Sequence, residues 1–126
     1  MIYVYRATIM KIVDGDTVDV QVDMGFDTFQ NMCIRLFGIN TPELRSKSID
    51  ERIKAQEAKK FVQDKIPVGS KIYIETFKDK KGKYGRYLAN IYEDRPGVAE
   101  TEILAGKWHS INQLLVENGH AKEYLI

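Results

Sequence analysis

The chain has 126 residues, of which 44% are apolar and 29% are charged, and this composition excludes a collagen-like or wholly disordered protein. One domain over residues 1–126 is expected. The formal net charge of +1 gives no overall attraction to nucleic acid or to a membrane. No stretch approaches the ~20 apolar residues of a membrane helix, no export signal is visible, and the single cysteine excludes an internal disulfide. We therefore expect an intracellular, cytoplasmic protein with no membrane partner.

The first third of the chain has the pattern of β-structure. Residues 8–13 and 18–22 are rich in β-branched side chains, and the Asp14-Gly15 pair between them predicts a hairpin turn. A third strand is predicted over residues 29–37, where Gly38 ends it. Three antiparallel strands are therefore expected in succession.

The remaining two thirds mix helix and strand. Residues 50–66 have apolar side chains at helical spacing, and Pro67 and Gly69 end that pattern. The other predicted elements are strands over 71–77 and 87–92, a basic loop over 78–86, an inserted loop over 94–107, and a short helix over 111–118 with Gly119 at its C-cap. This order predicts a β-rich α+β fold: a five-stranded OB-type Greek-key barrel with a helix between strands three and four and a short C-terminal helix.

Two of the polar clusters in the sequence lie at the ends of predicted strands that can meet if the barrel closes. Asp16 follows the first strand, and Asn40, Thr41 and Glu43 follow the third. If the barrel closes, the Asp16 carboxylate, the Asn40 amide oxygen, the Thr41 carbonyl and Glu43 offer an all-oxygen set. Such a set suits a hard cation such as Ca²⁺ or Mg²⁺ and does not suit zinc, which prefers nitrogen and sulfur.

Basic residues could converge beside that cation. Arg35 and Arg86 would supply two planar guanidinium groups, which together with a divalent metal suit a phosphodiester that becomes more negative in its transition state. Lys81 and Lys83 would add contacts to backbone phosphates, and Tyr84 would add a flat ring for a base or sugar. The sequence thus indicates a site for a nucleic acid.

Four segments, in their order along the chain, resemble the motifs of the staphylococcal (thermo)nuclease family. They are IVDGDTV (12–18), IRLFGINTPE (34–43), KYGRYLA (83–89) and NQLLVENGHA (112–121). The similarity covers residues 8–124, and the small size without a leader is most similar to phage or prophage members. The resemblance implies an OB-fold, Ca²⁺-dependent phosphodiesterase that cuts DNA and RNA, prefers single strands and leaves 3′-phosphate ends.

The resemblance also implies roles for residues of this chain. The catalytic trio of the family matches Arg35, Glu43 and Arg86, and its metal ligands match Asp16, Asn40 and Thr41. The nucleotide contacts match Lys83 and Tyr84, and a second tyrosine at the base pocket matches Tyr124.

Two departures from the family pattern bear on these roles. Position 40 is Asn40 where the family has aspartate, which keeps an oxygen ligand but removes one negative charge. We therefore expect weaker Ca²⁺ binding, or a shift toward Mn²⁺ or Mg²⁺. The chain also ends shortly after Tyr124, so the family's extra C-terminal helix is not expected, and residues 94–107 are additional. We expect a monomer.

Two other interpretations of the sequence compete with the hypothesis that the protein is an enzyme. A non-catalytic OB-fold module could hold single-stranded nucleic acid with the same basic residues and a weakened metal site. The joint presence of Arg35, Glu43 and Arg86, which a pure binder would not require, favours hydrolysis. A structural or protein-interaction domain that uses the inserted loop and the Trp108 region is the third reading, and absence of nucleic-acid affinity at low salt would favour it.

Overall fold

The computed structural model describes residues 2–81, 86–94, 103, 106 and 109–124. The strands are β1 (Ile2–Asp14), β2 (Thr17–Asp23), β3 (Phe29–Leu36), β4 (Ile39–Asn40), β5 (Lys71–Lys81), β6 (Tyr87–Glu93) and β7 (Lys122–Glu123). The helices are α1 (Ile49–Lys65) and α2 (Ile111–Glu117).

Five of the strands close into a barrel in the order β1-β2-β3-β6-β5. All neighbours are antiparallel except β3 and β6, which are parallel and pair over residues 34–36. β1 closes the barrel because its first part pairs with β5 and its second part with β2, and register shifts after Ile9 and Ile12 let it bend between them. The predicted fold class is confirmed.

The core lies inside this barrel and under α1. Alternation along β2 turns Val18, Val20 and Val22 inward, where each is at most 1% exposed. The α1 helix covers the barrel with one face, whose buried members are Ala55, Ala58 and Val62. These contacts fix the positions of the β1–β2 turn, the end of β3 and α1 relative to one another. The polar clusters predicted from the sequence lie at this turn and just after β3.

The observed elements extend beyond the predicted ones at three places. β1 begins at Ile2 because residues 2–8 pair with residues 71–77 of β5, a tertiary contact that the alternation of residues 8–13 does not reveal. β5 continues through residue 81 into the predicted basic loop. The two-residue ladder between β4 and β7 was not predicted, and it brings residues 122–123 beside residues 39–40. Most of the predicted insertion over 94–107 lies outside the described residues, although Ile103 within it is buried.

The short α2 helix is joined to the barrel through a buried side chain. Asn112, which is 3% exposed, donates from Nδ2 to the carbonyls of Phe37 at 2.9 Å and Ala89 at 3.1 Å, and its Oδ1 accepts the Ile91 N–H at 3.1 Å. Gly119 follows the helix with φ of +78°, the left-handed conformation that ends many helices. Over the described ranges, no helix is long and apolar enough to cross a membrane.

Candidate functional site

The turn between β1 and β2 forms one wall of the site, and Gly15 allows it to do so. A Cβ atom at position 15 would lie 2.9 Å from the Cβ of Ala58 and 3.0 Å from the Cγ2 of Thr41. Only glycine lets the turn lie this close to both α1 and the loop after β4. Asp16, which follows Gly15, is thereby brought beside Thr41.

Asp16 ties three chain segments together. Its backbone carbonyl accepts the Leu36 N–H at 2.8 Å, its Oδ2 accepts the Thr41 N–H at 3.1 Å, and its Oδ1 accepts the Thr17 hydroxyl at 3.1 Å. The residue is only 9% exposed. Because these partners fill several of its acceptor sites, the carboxylate is held in one orientation.

The two arginines are both connected to Asp16, Arg35 directly and Arg86 through Thr17. Arg35, on β3, donates from Nη1 to the Leu36 carbonyl at 2.9 Å and from Nη2 to Oδ1 of Asn40, and its Nη2 lies 3.4 Å from Oδ2 of Asp16. Arg86, just before β6, donates from Nη1 to Oγ1 of Thr17 at 3.3 Å. The offset register of β3 and β6 pairs Ile34 with Tyr87, so the start of β6 lies beside the end of β3 and both arginines lie at the same end of the barrel. A continuous series of polar contacts therefore runs from Arg86 through Thr17 and Asp16 to Arg35 and Asn40.

These side chains line one cavity of about 900 Å³. It contains every sequence-predicted site residue whose side chain the structure describes, namely Asp16, Arg35, Asn40, Thr41, Glu43, Arg86 and Tyr124. Tyr124 reaches it because β7 pairs with β4 and the Tyr124 N–H donates to the Gly38 carbonyl at 2.8 Å. Lys83, Tyr84 and the side chain of Lys81 lie outside the described residues.

Two neighbouring carboxyl groups in this cavity titrate differently. Burial raises the pKa of Asp14 to about 6, and the hydrogen bond and negative charge of Asp16 add to that rise. The pKa of Asp16 is lowered overall. Burial by itself would raise it, but the hydrogen bond with Asp14, the positive charge of Arg35 and the hydrogen bond from the Thr41 amide together outweigh burial. The turn thus concentrates negative charge in a partly desolvated place.

Three charged residues of the cavity were missed by reasoning from the sequence. Asp14 was interpreted as an ordinary turn residue, although the Asp-Gly-Asp spacing puts two carboxylates on either side of a tight turn. Arg45 and Glu51 also line the cavity. Nothing in the spacing of residues 44–51 indicates that these two side chains turn toward the site.

The donor chemistry of the cavity fits a hard divalent cation. Asp14 and Asp16 supply carboxylate oxygens, and Asn40 and Thr41 line the same cavity with amide and backbone oxygens. Burial is the main cause of the raised pKa of Asp14, and the negative charge of Asp16, which adds to it, is one that a bound cation would offset. Within the part of the chain that the structure describes, no three Asp, Glu, His or Cys side chains group so as to hold a metal by themselves. A cation here would therefore depend on neutral oxygens as well.

Comparison with known proteins gives the same family that the motifs indicate. Residues 33–126 match the family described as "Staphylococcal nuclease homologue". The SPbeta prophage-derived endonuclease YokF of Bacillus subtilis strain 168 is 33% identical over 100 residues, which cover 79% of this chain and 32% of that protein. Endonuclease YncB of the same strain is 31% identical over 102 residues (80% and 46%), and the thermonuclease of Staphylococcus hyicus is 30% identical over 84 residues (67% and 46%). The chain spans about a third to a half of the length of these relatives. It belongs to the staphylococcal nuclease family.

Proposed function

We propose that this chain is a metal-dependent nuclease that hydrolyses phosphodiester bonds of DNA and RNA, prefers single strands and leaves 3′-phosphate ends. One observation carries the proposal: Arg35 contacts Asp16 directly and Arg86 contacts it through Thr17, and the two arginines and Asp16 line one cavity together with Glu43. Two guanidinium groups beside the buried Asp16 carboxylate suit the binding of a doubly esterified phosphate. Family membership supports the same chemistry.

The arginines are the groups that bind the reacting phosphate. Each guanidinium presents five N–H donors in a planar fork, and the side chain of Arg35 is only 13% exposed, so its charge is weakly screened. As the phosphorus accepts a fifth oxygen, negative charge grows on its equatorial oxygens. Donors already held in place by Leu36, Thr17 and Asp16 stabilise that charge without reorganising.

Glu43 is proposed to position the attacking water and accept its proton. Glu43 lines the same cavity as the two arginines. A positioned general base accelerates a reaction by roughly 10² to 10⁴-fold, or ~3 to 5 kcal/mol, whereas phosphodiester hydrolysis needs its barrier lowered by roughly 20 kcal/mol. The larger share must therefore come from charge stabilisation. Because water and not a ribose 2′-hydroxyl is the nucleophile, DNA should be cut as well as RNA.

Asp16, Asn40 and Thr41, with Asp14 beside them, are the residues that would hold a divalent cation, which we propose to be calcium. When bound, such a cation polarises a phosphoryl oxygen and offsets its charge. Asn40 contributes a neutral oxygen where the family has a carboxylate, and that oxygen accepts from Arg35. We therefore propose weak calcium binding, with Mn²⁺ or Mg²⁺ as alternatives.

The nucleic acid is proposed to leave the cavity past the basic segment 78–86. Lys81 and Lys83 would contact its phosphates, and Tyr84 and Tyr124 would stack against its bases or sugars. Tyr124 is 43% exposed and lines the cavity, so its ring has a face available for stacking.

Digestion of heat-denatured DNA in Ca²⁺, Mn²⁺, Mg²⁺ or chelator tests this function. We expect cleavage with a divalent cation, none with chelator, and products that a polymerase extends only after phosphatase treatment. Arg35→Ala and Arg86→Ala should each lower turnover by several orders of magnitude, and Glu43→Gln should lower it by roughly 10²-fold or more. Arg52→Ala, at an exposed position of α1, is the matched control and should cut like the wild type.

A loss of less than tenfold in both arginine variants would count against the phosphate-binding role. Binding of single-stranded DNA without any cleavage under all four conditions would favour the non-catalytic module instead.

A further inference from the structure

Two helices of this chain begin with the same sequence pattern but use it differently. α2 starts Ser110-x-x-Gln113, and the Gln113 Oε1 accepts the Ser110 N–H at 2.9 Å while the Ser110 Oγ accepts the Gln113 N–H at 3.1 Å. This reciprocal pair is the usual capping box. α1 starts Ser48-x-x-Glu51, so the Glu51 carboxylate is expected to accept the Ser48 N–H in the same way.

In α1 only half of the box forms. The Ser48 Oγ accepts the Glu51 N–H at 3.3 Å, but the Ser48 N–H donates to Oγ of Ser46 at 3.1 Å. Ser46 thus takes the place that a capping-box glutamate normally fills. The Glu51 carboxylate is left available for other partners.

The Glu51 carboxylate instead accepts hydrogen bonds from two residues of the loop that precedes the helix. Its Oε2 accepts the Ser46 hydroxyl at 2.6 Å, and its Oε1 accepts the backbone N–H of Glu43 at 3.4 Å. These two donors lower the pKa of Glu51, so it is ionised at neutral pH. The Glu43 carbonyl in turn accepts the Ser46 N–H at 3.2 Å. Glu51 therefore contacts the backbone of Glu43 directly and a second point of the same turn.

We propose that Glu51 is a positioning residue that sets where the Glu43 carboxylate lies in the cavity, an inference that rests on the proposed nuclease function. Residues 41–48 form no helix or strand, so their backbone retains freedom that only such contacts remove. A shift of about 1 Å in a reacting group can cost roughly 10²-fold in rate. Burial of Ala55 and Ala58 fixes α1 against the barrel, and Glu51, in the first turn of the same helix, connects Glu43 to that fixed element.

Kinetics of Glu51→Ala and Glu51→Gln on single-stranded DNA test the proposal. Glu51→Ala should lower kcat by roughly 10- to 100-fold and leave KM within about twofold, because the phosphate-binding arginines are untouched. Glu51→Gln should regain most of the activity, since its amide can accept from one loop donor and donate to Ser46. Glu57→Ala, an exposed glutamate on the same helix, is the matched control and should leave both constants unchanged.

A double-mutant cycle and hydrogen exchange separate positioning from a general loss of structure. In a Glu43→Gln background, Glu51→Ala should cost less than about twofold, because the group it positions is already disabled. Exchange of the Glu43 amide should become at least about tenfold faster in Glu51→Ala, while amides of the barrel strands keep their protection.

An unchanged Glu43 amide, or an equal loss of kcat in both backgrounds, would overturn the positioning role while leaving the proposed function intact. Absence of cleavage by the wild type would overturn the proposed function and this role with it.

Discussion

Asn112 is the buried side chain that links α2 to β6 and to Phe37, the residue that follows β3, and its replacement by alanine should be strongly destabilising. The substitution removes three hydrogen bonds, to the Phe37 carbonyl, the Ala89 carbonyl and the Ile91 N–H. The Ala89 carbonyl still accepts the Phe37 N–H at 2.9 Å, so it keeps a partner. The Phe37 carbonyl and the Ile91 N–H lose the partner that Asn112 provides.

The size of the effect follows from those two groups. A buried polar group that loses its partner costs about 1–3 kcal/mol. For two such groups we expect the free energy of unfolding to fall by about 4 kcal/mol, a large part of the ~5–15 kcal/mol that stabilises a typical domain. With a slope of ~1.5 kcal/mol per molar urea, the midpoint should fall by roughly 2–3 M.

Urea unfolding followed by far-UV circular dichroism measures this change. Asn118→Ala is the control: Asn118 lies just after the same helix and donates to the Leu114 carbonyl at 2.8 Å, but it is exposed, so its loss should cost less than about 1 kcal/mol. Asn112→Asp adds a second test, because a carboxylate oxygen would face two carbonyls at neutral pH and a carboxylic acid would not. That variant should regain stability as the pH falls. If Asn112→Ala unfolds within about 1 kcal/mol of the wild type, Asn112 does not provide the buried link described above.

Three further substitutions test the site. The folded state binds the proton of the Asp14 carboxyl group more tightly than the unfolded chain does, because the pKa of Asp14 is raised to about 6 on folding. In chelator, this group should therefore add to the free energy of unfolding below about pH 4, and that contribution should be lost as the pH rises toward 6. Discounted for partial exposure, the change is about 1–1.5 kcal/mol, and Asp14→Asn should remove it from urea unfolding measured between pH 4 and 7; an equal pH slope in both proteins would contradict the assignment. Asn40→Asp should tighten Ca²⁺ binding at least about tenfold by calorimetry, because a full charge is added near a dication, and no change would mean that position 40 is not a ligand. Gly15→Ala should cost about 1–3 kcal/mol in the same unfolding assay, because the new methyl group meets the Cβ of Ala58 at 2.9 Å, whereas a neutral result would show that the turn can move away from α1.

Much of the fold could be predicted from local patterns. The strict alternation over residues 18–22 corresponds to β2, and the helical spacing over residues 50–66 corresponds to α1. Each predicted end lies within one residue of the observed end. The first part of β1 was missed because its strand character depends on pairing with β5, which lies some seventy residues away along the chain. Burial of Ile103 was missed for the same reason, since the apolar contact that it makes is with residues of another part of the fold.

The sequence could predict the types of residue that belong to the candidate site, but it could not predict which hydrogen-bond partners their side chains have. The motifs drew attention to Asp16, Arg35 and Arg86, which the structure brings into one cavity. The partners of Asn40 and Glu51 were not predictable. Asn40 turns its oxygen to Arg35, and Glu51 leaves its expected capping position for the loop, because each choice depends on which donors the folded neighbours present.

The order of the five barrel strands and the two helices, and the presence of side chains able to bind a phosphate, were determined by the sequence alone, because they depend on short-range periodicity and on the chemistry of each residue. Only the tertiary structure decided that a turn at residue 16, a strand at residue 35 and a loop at residue 86 share one cavity. Closure of the barrel makes parallel neighbours of β3 and β6, and no local pattern encodes the distance between segments that meet only when the hydrophobic interior is enclosed.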